Sequence, residues 1–268
     1  MLPHIHLGIF HIPSYSLLVL IGMIAFTVST IHILEKRERT EVKVTNRLLI
    51  ISAFGFIFLA ISALIFNSIF HSIKNGRIVI GGITWLGGVI GAFPITILII
   101  RKFCPNAKGE ALRYFGYLIP GLTLAHGFGR VGCFLGGCCY GRPTNDFWGV
   151  CFPSGSPAAV QYPSPSGSSL PVLPTQLYEA VFEFLLFATM MLCYKILRHR
   201  FLEMYCIGYG TFRFFLEFFR GDDRGALGVL SSPSQIISIL LISGGIAICL
   251  YKKRSASYDQ PKSHQSNE

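Results

Sequence analysis

The sequence predicts an all-α, polytopic membrane protein with about seven transmembrane helices, its N-terminus outside and its C-terminus in the cytoplasm. Three observations predict it. The 268 residues are 51% hydrophobic and only 13% charged, with a mean hydropathy of +0.54, whereas soluble domains carry about 25% charged residues. Seven apolar runs approach the roughly 20 residues that a bilayer span requires. Basic residues alternate between the two sides of those runs, sixteen Lys and Arg on one side and five on the other, which orients the chain by the positive-inside rule.

The runs cover residues 14–34, 48–70, 81–100, 114–137, 176–194, 203–219 and 233–251. The first, second, third and seventh contain no Lys, Arg, Asp or Glu. None alternates at period two, so each reads as a helix that satisfies its own backbone rather than as a barrel strand. Residues 1–15 lack any Lys or Arg, so the basic stretch of a cleaved leader is missing and the first helix is expected to stay. The expected organisation is one helical domain, 1–251, with an outer loop at 138–175 and a polar, disordered cytoplasmic tail at 252–268. The loop is rich in Pro, Gly and Ser and reads as an irregular excursion, with Phe147, Trp148 and Tyr162 resting at headgroup level. The net charge of +10 belongs to loop anchors, and nucleic acid is not an expected partner.

Two arginines, Arg130 and Arg213, fall inside apolar runs. A charge at the bilayer centre costs about 2.5–3.5 kcal/mol on the mildest scale, so each needs compensation. Arg130 lies in the segment His126–Gly141, which holds six glycines in sixteen residues. Glycine allows close backbone approach and unusual dihedrals, and small residues let membrane helices pack tightly. Helix crossing accounts for the glycines and leaves the arginine unexplained. An anionic headgroup would explain it, because a guanidinium fork matches phosphate and stays charged when dehydrated. A structurally paired arginine is the plainer alternative.

Arg213, Glu217 and Arg220 are spaced by four and three residues, so they share a helix face. Glu179 and Glu183 are likewise four apart, with Gln176 and Tyr178 just before them; the arginines are their natural partners. Eight cysteines are scattered without a Cys-x-x-Cys pair. The spacing of Cys133, Cys138 and Cys139 does not match a zinc site, and neither metal nor cofactor is expected. A bridge from the outer loop, for instance through Cys151, stays open.

These residues resemble the bacterial prolipoprotein diacylglyceryl transferase family. The resemblance rests on Gly129-Arg130-Val131-Gly132-Cys133-Phe134 followed by Gly137-Cys138-Cys139-Tyr140-Gly141, on Pro174-Thr175-Gln176-Leu177-Tyr178-Glu179, and on Tyr209-Gly210-Thr211-Phe212-Arg213 running into Glu217-Phe218-Phe219-Arg220. Tyr15, after Pro13 in the first span, fits too. The resemblance covers nearly the whole chain apart from the tail. It implies an enzyme of the bacterial cytoplasmic membrane, with its active site toward the outer leaflet. That enzyme takes the diacylglyceryl group of phosphatidylglycerol, transfers it to the lipobox cysteine thiol of a prolipoprotein, forms a thioether and releases glycerol phosphate. It implies that Arg130 and Arg213 hold the lipid phosphate. Tyr15, Gln176, Tyr178, Glu179, Tyr209, Glu217 and Arg220 join Arg130 in substrate binding. Gly129, Gly132, Gly137 and Gly141 shape the backbone.

Two departures from the family pattern stand out. Leu86 precedes Gly87-Gly88 where many members carry histidine or tyrosine, which leaves His126, four residues before Arg130, as the candidate proton acceptor. Cys138 stands where better-known members have glutamate, so the Cys-Cys-Tyr-Gly version reads as a variant branch. Two competing readings are a related enzyme acting on another acceptor and a non-enzymatic binder or transporter of anionic lipid.

Overall fold

The structure is a computed structural model that describes residues 4–7, 10–78, 80, 85–104, 110–221 and 232–258. A two-stranded antiparallel hairpin, β1 (His4–Leu7) and β2 (Phe10–Pro13), precedes the first helix; its four-residue strands lie in a stretch where no element is expected from sequence. The helices follow: α1 (Ser14–Ile31) with a π-helical turn at His32–Arg37, α2 (Val42–Asn75), α3 (Trp85–Phe103), α4 (Ala111–Leu135), the short α5 (Pro157–Gln161), α6 (Thr175–Leu192), α7 (Tyr194–Leu197), α8 (Phe201–Met204), α9 (Gly210–Leu216) and α10 (Pro233–Tyr258).

Six helices among the described residues are long and apolar enough to cross a membrane: Ser14–Arg37, Val42–Ile73, Trp85–Phe103, Ala111–Leu135, Thr175–Leu192 and Pro233–Arg254. The run expected at 203–219 is helical but segmented. It passes from α8 through a π turn at Tyr205–Tyr209 into α9 and ends in a 3-10 turn at Glu217–Phe219. The expected span at 81–100 is described from Trp85 onward. Helix α10 continues past the expected end of its span, and tail residues 259–268 lie outside the described residues.

Burial runs inside-out relative to a soluble protein. Leu20, Ile24, Val28, Ile57, Leu98 and Leu185 are exposed, as a lipid-facing surface demands, while Glu179, Glu183, Arg130 and Arg213 are buried. Helix α4 is the centre of the bundle. It packs on α1 and α6, α2 packs on α3, and α10 packs on α9 and the π turn. Close approach needs small residues at the crossings. A Cβ on Gly127 of α4 would lie 2.6 Å from the Phe184 ring of α6.

The two ends of the bundle differ. Where α1 finishes, Glu38 receives hydrogen bonds from Tyr117 Oη (2.7 Å) and Tyr194 Oη (2.7 Å) and pairs with Arg113 and Arg198 (3.3 Å each). This one carboxylate ties α1, α4 and the segment after α6 together. At the other end, the 138–175 stretch has a small core of its own, in which Tyr140, Phe152, Ala158 and Val172 are buried. It is therefore more ordered than the irregular excursion expected. Phe147 and Trp148 are exposed, whereas Tyr162 turns inward and donates to the Gly221 carbonyl (2.9 Å).

Candidate active site

Four helical segments bring the polar groups together at the end of the bundle that carries the 138–175 loop. Glu179, fully buried on α6, is the hub. Its Oε1 receives Arg130 Nη2 at 3.0 Å and Tyr209 Oη at 2.8 Å, and lies 4.0 Å from Arg213 Nε and 3.8 Å from His126 Nε2. Arg220 is within electrostatic reach of the same carboxylate. An uncompensated charge here would be costly, and the arrangement offsets it with opposite charges and hydrogen bonds instead.

Arg130 uses a second edge of its guanidinium as well. Its Nε donates to His126 Nε2 at 3.1 Å, one helical turn earlier. Because that nitrogen accepts, the ring proton resides on Nδ1, which donates to Glu183 Oε1 at 2.7 Å. Glu183 and Glu179 therefore take different partners, His126 and Arg130. Trp85 of α3 stacks on the His126 ring at 4.2 Å, and its indole Nε1 donates to Tyr205 Oη at 3.2 Å. The third span thus reaches the site through Trp85, and Leu86 beside it is buried.

Arg213 has a separate setting. Its Nη2 pairs with Glu217 Oε2 at 2.7 Å and donates to Ser234 Oγ of α10 at 3.1 Å. The other Glu217 oxygen accepts from Ser232 Oγ. Arg213 Nη1 is buried and makes no hydrogen bond among the described residues.

The remaining expected residues lie around this centre. Tyr15, 40% exposed, packs over Gly132, where a Cβ would meet its ring at 3.2 Å. Gln176, buried, donates to the Cys138 carbonyl at 2.8 Å; it shapes the turn after α4. Tyr178 is half-buried on a neighbouring face of α6, toward Asp146. Arg220 pairs its backbone with Gly141. Gly137 adopts φ 68°, a left-handed conformation suited to glycine. A Cβ on Gly141 would lie 2.7 Å from the Phe219 carbonyl, whereas one on Gly129 would meet open space.

The residues match a family model described as prolipoprotein diacylglyceryl transferase over 3–251. The chain belongs to the prolipoprotein diacylglyceryl transferase family. A relative from Clostridium tetani, phosphatidylglycerol–prolipoprotein diacylglyceryl transferase, is 33% identical over 88% of this chain and 91% of its own length. A second from Clostridium perfringens, phosphatidylglycerol–prolipoprotein diacylglyceryl transferase 2, is 38% identical over 67% of this chain and 64% of its own length. The alignment therefore spans just under two thirds of that relative.

Within this family member, sequence reasoning missed Trp85, Tyr205, Ser232 and Ser234. Aromatic and serine residues are common in membrane helices, and no local spacing marks these. Glu183 was visible as the i+4 neighbour of Glu179, but its pairing with His126 depends on the way α4 and α6 cross.

Proposed function

We propose that this multi-pass membrane protein transfers the diacylglyceryl group from phosphatidylglycerol to the lipobox cysteine thiol of a prolipoprotein, and releases glycerol phosphate. The observation that carries the reading is the convergence of Arg130 and Arg213, from two different helices, on Glu179, with Arg213 Nη1 a buried donor that has no hydrogen-bond acceptor among the described residues. The names of the Clostridium relatives supply the donor lipid and the acceptor.

The geometry supports this chemistry. The bond between the glycerol carbon and the phosphate oxygen breaks, sulfur takes that carbon, and negative charge grows on the departing phosphate. Guanidiniums already fixed in a site closed to water stabilise that charge without reorganising. The thiol must lose its proton to attack. In the resting arrangement His126 Nε2 is occupied by Arg130. A phosphate that draws Arg130 toward itself frees Nε2 to accept the thiol proton, while Glu183 holds the ring through Nδ1. Lipid binding and base activation are coupled through one arginine. Gln176, Glu179, Tyr209, Glu217 and Arg220 surround the two arginines, with Tyr178 on a neighbouring face of α6 and Tyr15 at the edge of the group.

We place the site toward the outer leaflet of the bacterial cytoplasmic membrane, with seven spans counting the segmented 201–219 run, the N-terminus outside and the C-terminus in the cytoplasm. The excess of basic residues at the opposite end supports this orientation. The test is mass spectrometry of a lipobox peptide incubated with the purified protein and phosphatidylglycerol. A thioether-linked diacylglyceryl adduct is expected from the parent, and none from Arg130→Ala or Arg213→Ala. Full transfer by both variants, or no adduct from the folded parent, refutes the reading.

A further inference from the structure

The turn after α4 gathers three thiols that the proposed reaction does not use. Cys133 sits in the last turns of α4, Cys138 and Cys139 follow Gly137, and their three Sγ atoms all lie within 4.8 Å of one another. Cys133 is buried and the other two are half-buried, so the group is shielded but reachable. The backbone that presents them is held from α6. Gln176 Nε2 donates to the Cys138 carbonyl at 2.8 Å and Thr175 Oγ1 to the Cys139 carbonyl at 3.0 Å. Cys139 is held at φ 66°, a conformation that non-glycine residues adopt in only a few per cent of cases.

Metal geometry fits this spacing. Three sulfurs each about 2.3 Å from an ion, arranged in a plane around it, lie about 4 Å apart. Modest side-chain rotation closes the observed group onto that triangle. Thiolate donors select soft ions over Mg²⁺ or Ca²⁺.

We propose that Cys133, Cys138 and Cys139 form a three-thiolate site for one soft, thiophilic metal ion of the Cu(I) class, at the rim of the proposed active site. On binding, three S–H bonds are replaced by three metal–sulfur bonds, three protons leave to solvent, and no electron is transferred. The loaded site carries net negative charge beside Arg130. A bound ion therefore weakens lipid phosphate binding there, a consequence that rests on the transferase reading, whereas metal binding itself does not.

The experiment uses the full chain in lipid nanodiscs, reduced and kept free of oxygen. Cd²⁺ is titrated in as an optical probe, and Cu⁺ is titrated against a coloured chelator. The expected result is a thiolate-to-cadmium charge-transfer band that saturates at one ion per chain, and X-ray absorption that counts three sulfur neighbours. Cys138→Ser and Cys139→Ser, both at half-buried positions, each lower affinity by tenfold or more, at least the loss typical of disturbing an outer-shell partner. Cys151→Ser, an exposed thiol elsewhere in the loop, binds as the parent does. Unchanged melting midpoints show that the variants fold. Absence of a stoichiometric band in the parent, its survival in the Cys138→Ser/Cys139→Ser double variant, or a coordination shell with fewer than three sulfurs overturns the proposal. Loss of transfer without metal binding bears on the transferase reading alone.

Discussion

Glu179→Gln is the sharpest perturbation the structure offers. The amide keeps the volume of the side chain and an oxygen that can accept from Tyr209, but it removes the charge opposite Arg130 at 3.0 Å. Breaking a buried ion pair by removing one partner costs about 3–5 kcal/mol. Retention of a hydrogen bond worth about 1 kcal/mol puts the cost at the lower end, about 3 kcal/mol. At about 2–4 °C per kcal/mol for a chain of this size, the melting midpoint falls by roughly 6–12 °C. Arg130 also loses the anchor that aims it, and a displacement of about 1 Å in a catalytic group costs about a hundredfold in rate. The assays are a thermal melt in detergent and kcat/KM for transfer from phosphatidylglycerol to a lipobox peptide. Since lipid phosphate can replace the missing carboxylate, added phosphatidylglycerol should raise the variant's midpoint more than the parent's. A variant whose midpoint stays within about 2 °C of the parent and whose kcat/KM falls less than about threefold refutes Glu179 as the hub.

Three further outcomes are expected. Arg130→Lys keeps the charge but lacks the fork with which the guanidinium can hold Glu179 and a lipid phosphate at once. The loss of one charge-assisted hydrogen bond, about 1.5–3 kcal/mol, lowers kcat/KM roughly 10- to 150-fold, and Arg130→Ala lowers it further in the peptide assay. At Glu38, burial pushes the carboxyl up, but hydrogen bonds from Tyr117 and Tyr194 and the nearby Arg198 outweigh burial and hold it below its usual value of 4.5. Its contribution is therefore complete above pH 4.5 and lost as pH falls through the lowered value; melts over acidic pH should show a loss in the parent that is blunted in Glu38→Gln. Gly88→Ala places a Cβ 2.8 Å from the Leu59 carbonyl, and overpacking of about 1–3 kcal/mol should appear as a lower melting midpoint.

The spans were legible because lipid is a demanding solvent and each long helix writes its length as an apolar run. The 201–219 segment shows where that rule weakens. Its residues are apolar enough to be noticed, yet Tyr205, Tyr209, Arg213 and Glu217 serve the site, and the helix changes type along its length. Spacing alone placed Arg213 with Glu217 and His126 with Arg130, because pairs four residues apart share a helix face. Contacts between helices were out of reach. Nothing local says that Glu179 faces Arg130 while Glu183 faces His126, or that Trp85 rather than its neighbour Leu86 meets the imidazole. The thiol group was hidden for the same reason. Cys133 and Cys138 look badly spaced along the chain, and only the left-handed turn at Gly137 folds one back onto the other.

The π turn at Tyr205–Tyr209 acts as a phase corrector. Tyr205, Tyr209, Arg213 and Glu217 recur every four residues, and in a uniform α-helix each such step overruns a full turn by roughly 40°. Four residues in that register would fan out around a third of the cylinder. A turn closed over one more residue rotates less per residue and winds the row back, so that the Tyr205 and Tyr209 rings stack at 5.1 Å while Arg213 still meets Ser234 of α10. Chain length in this segment is therefore stricter than side-chain identity. Deleting a single residue between 205 and 209 would let the π turn close as an ordinary α turn, and the four-residue spacing that joins Tyr205 to Tyr209, Arg213 and Glu217 would be lost at its first step.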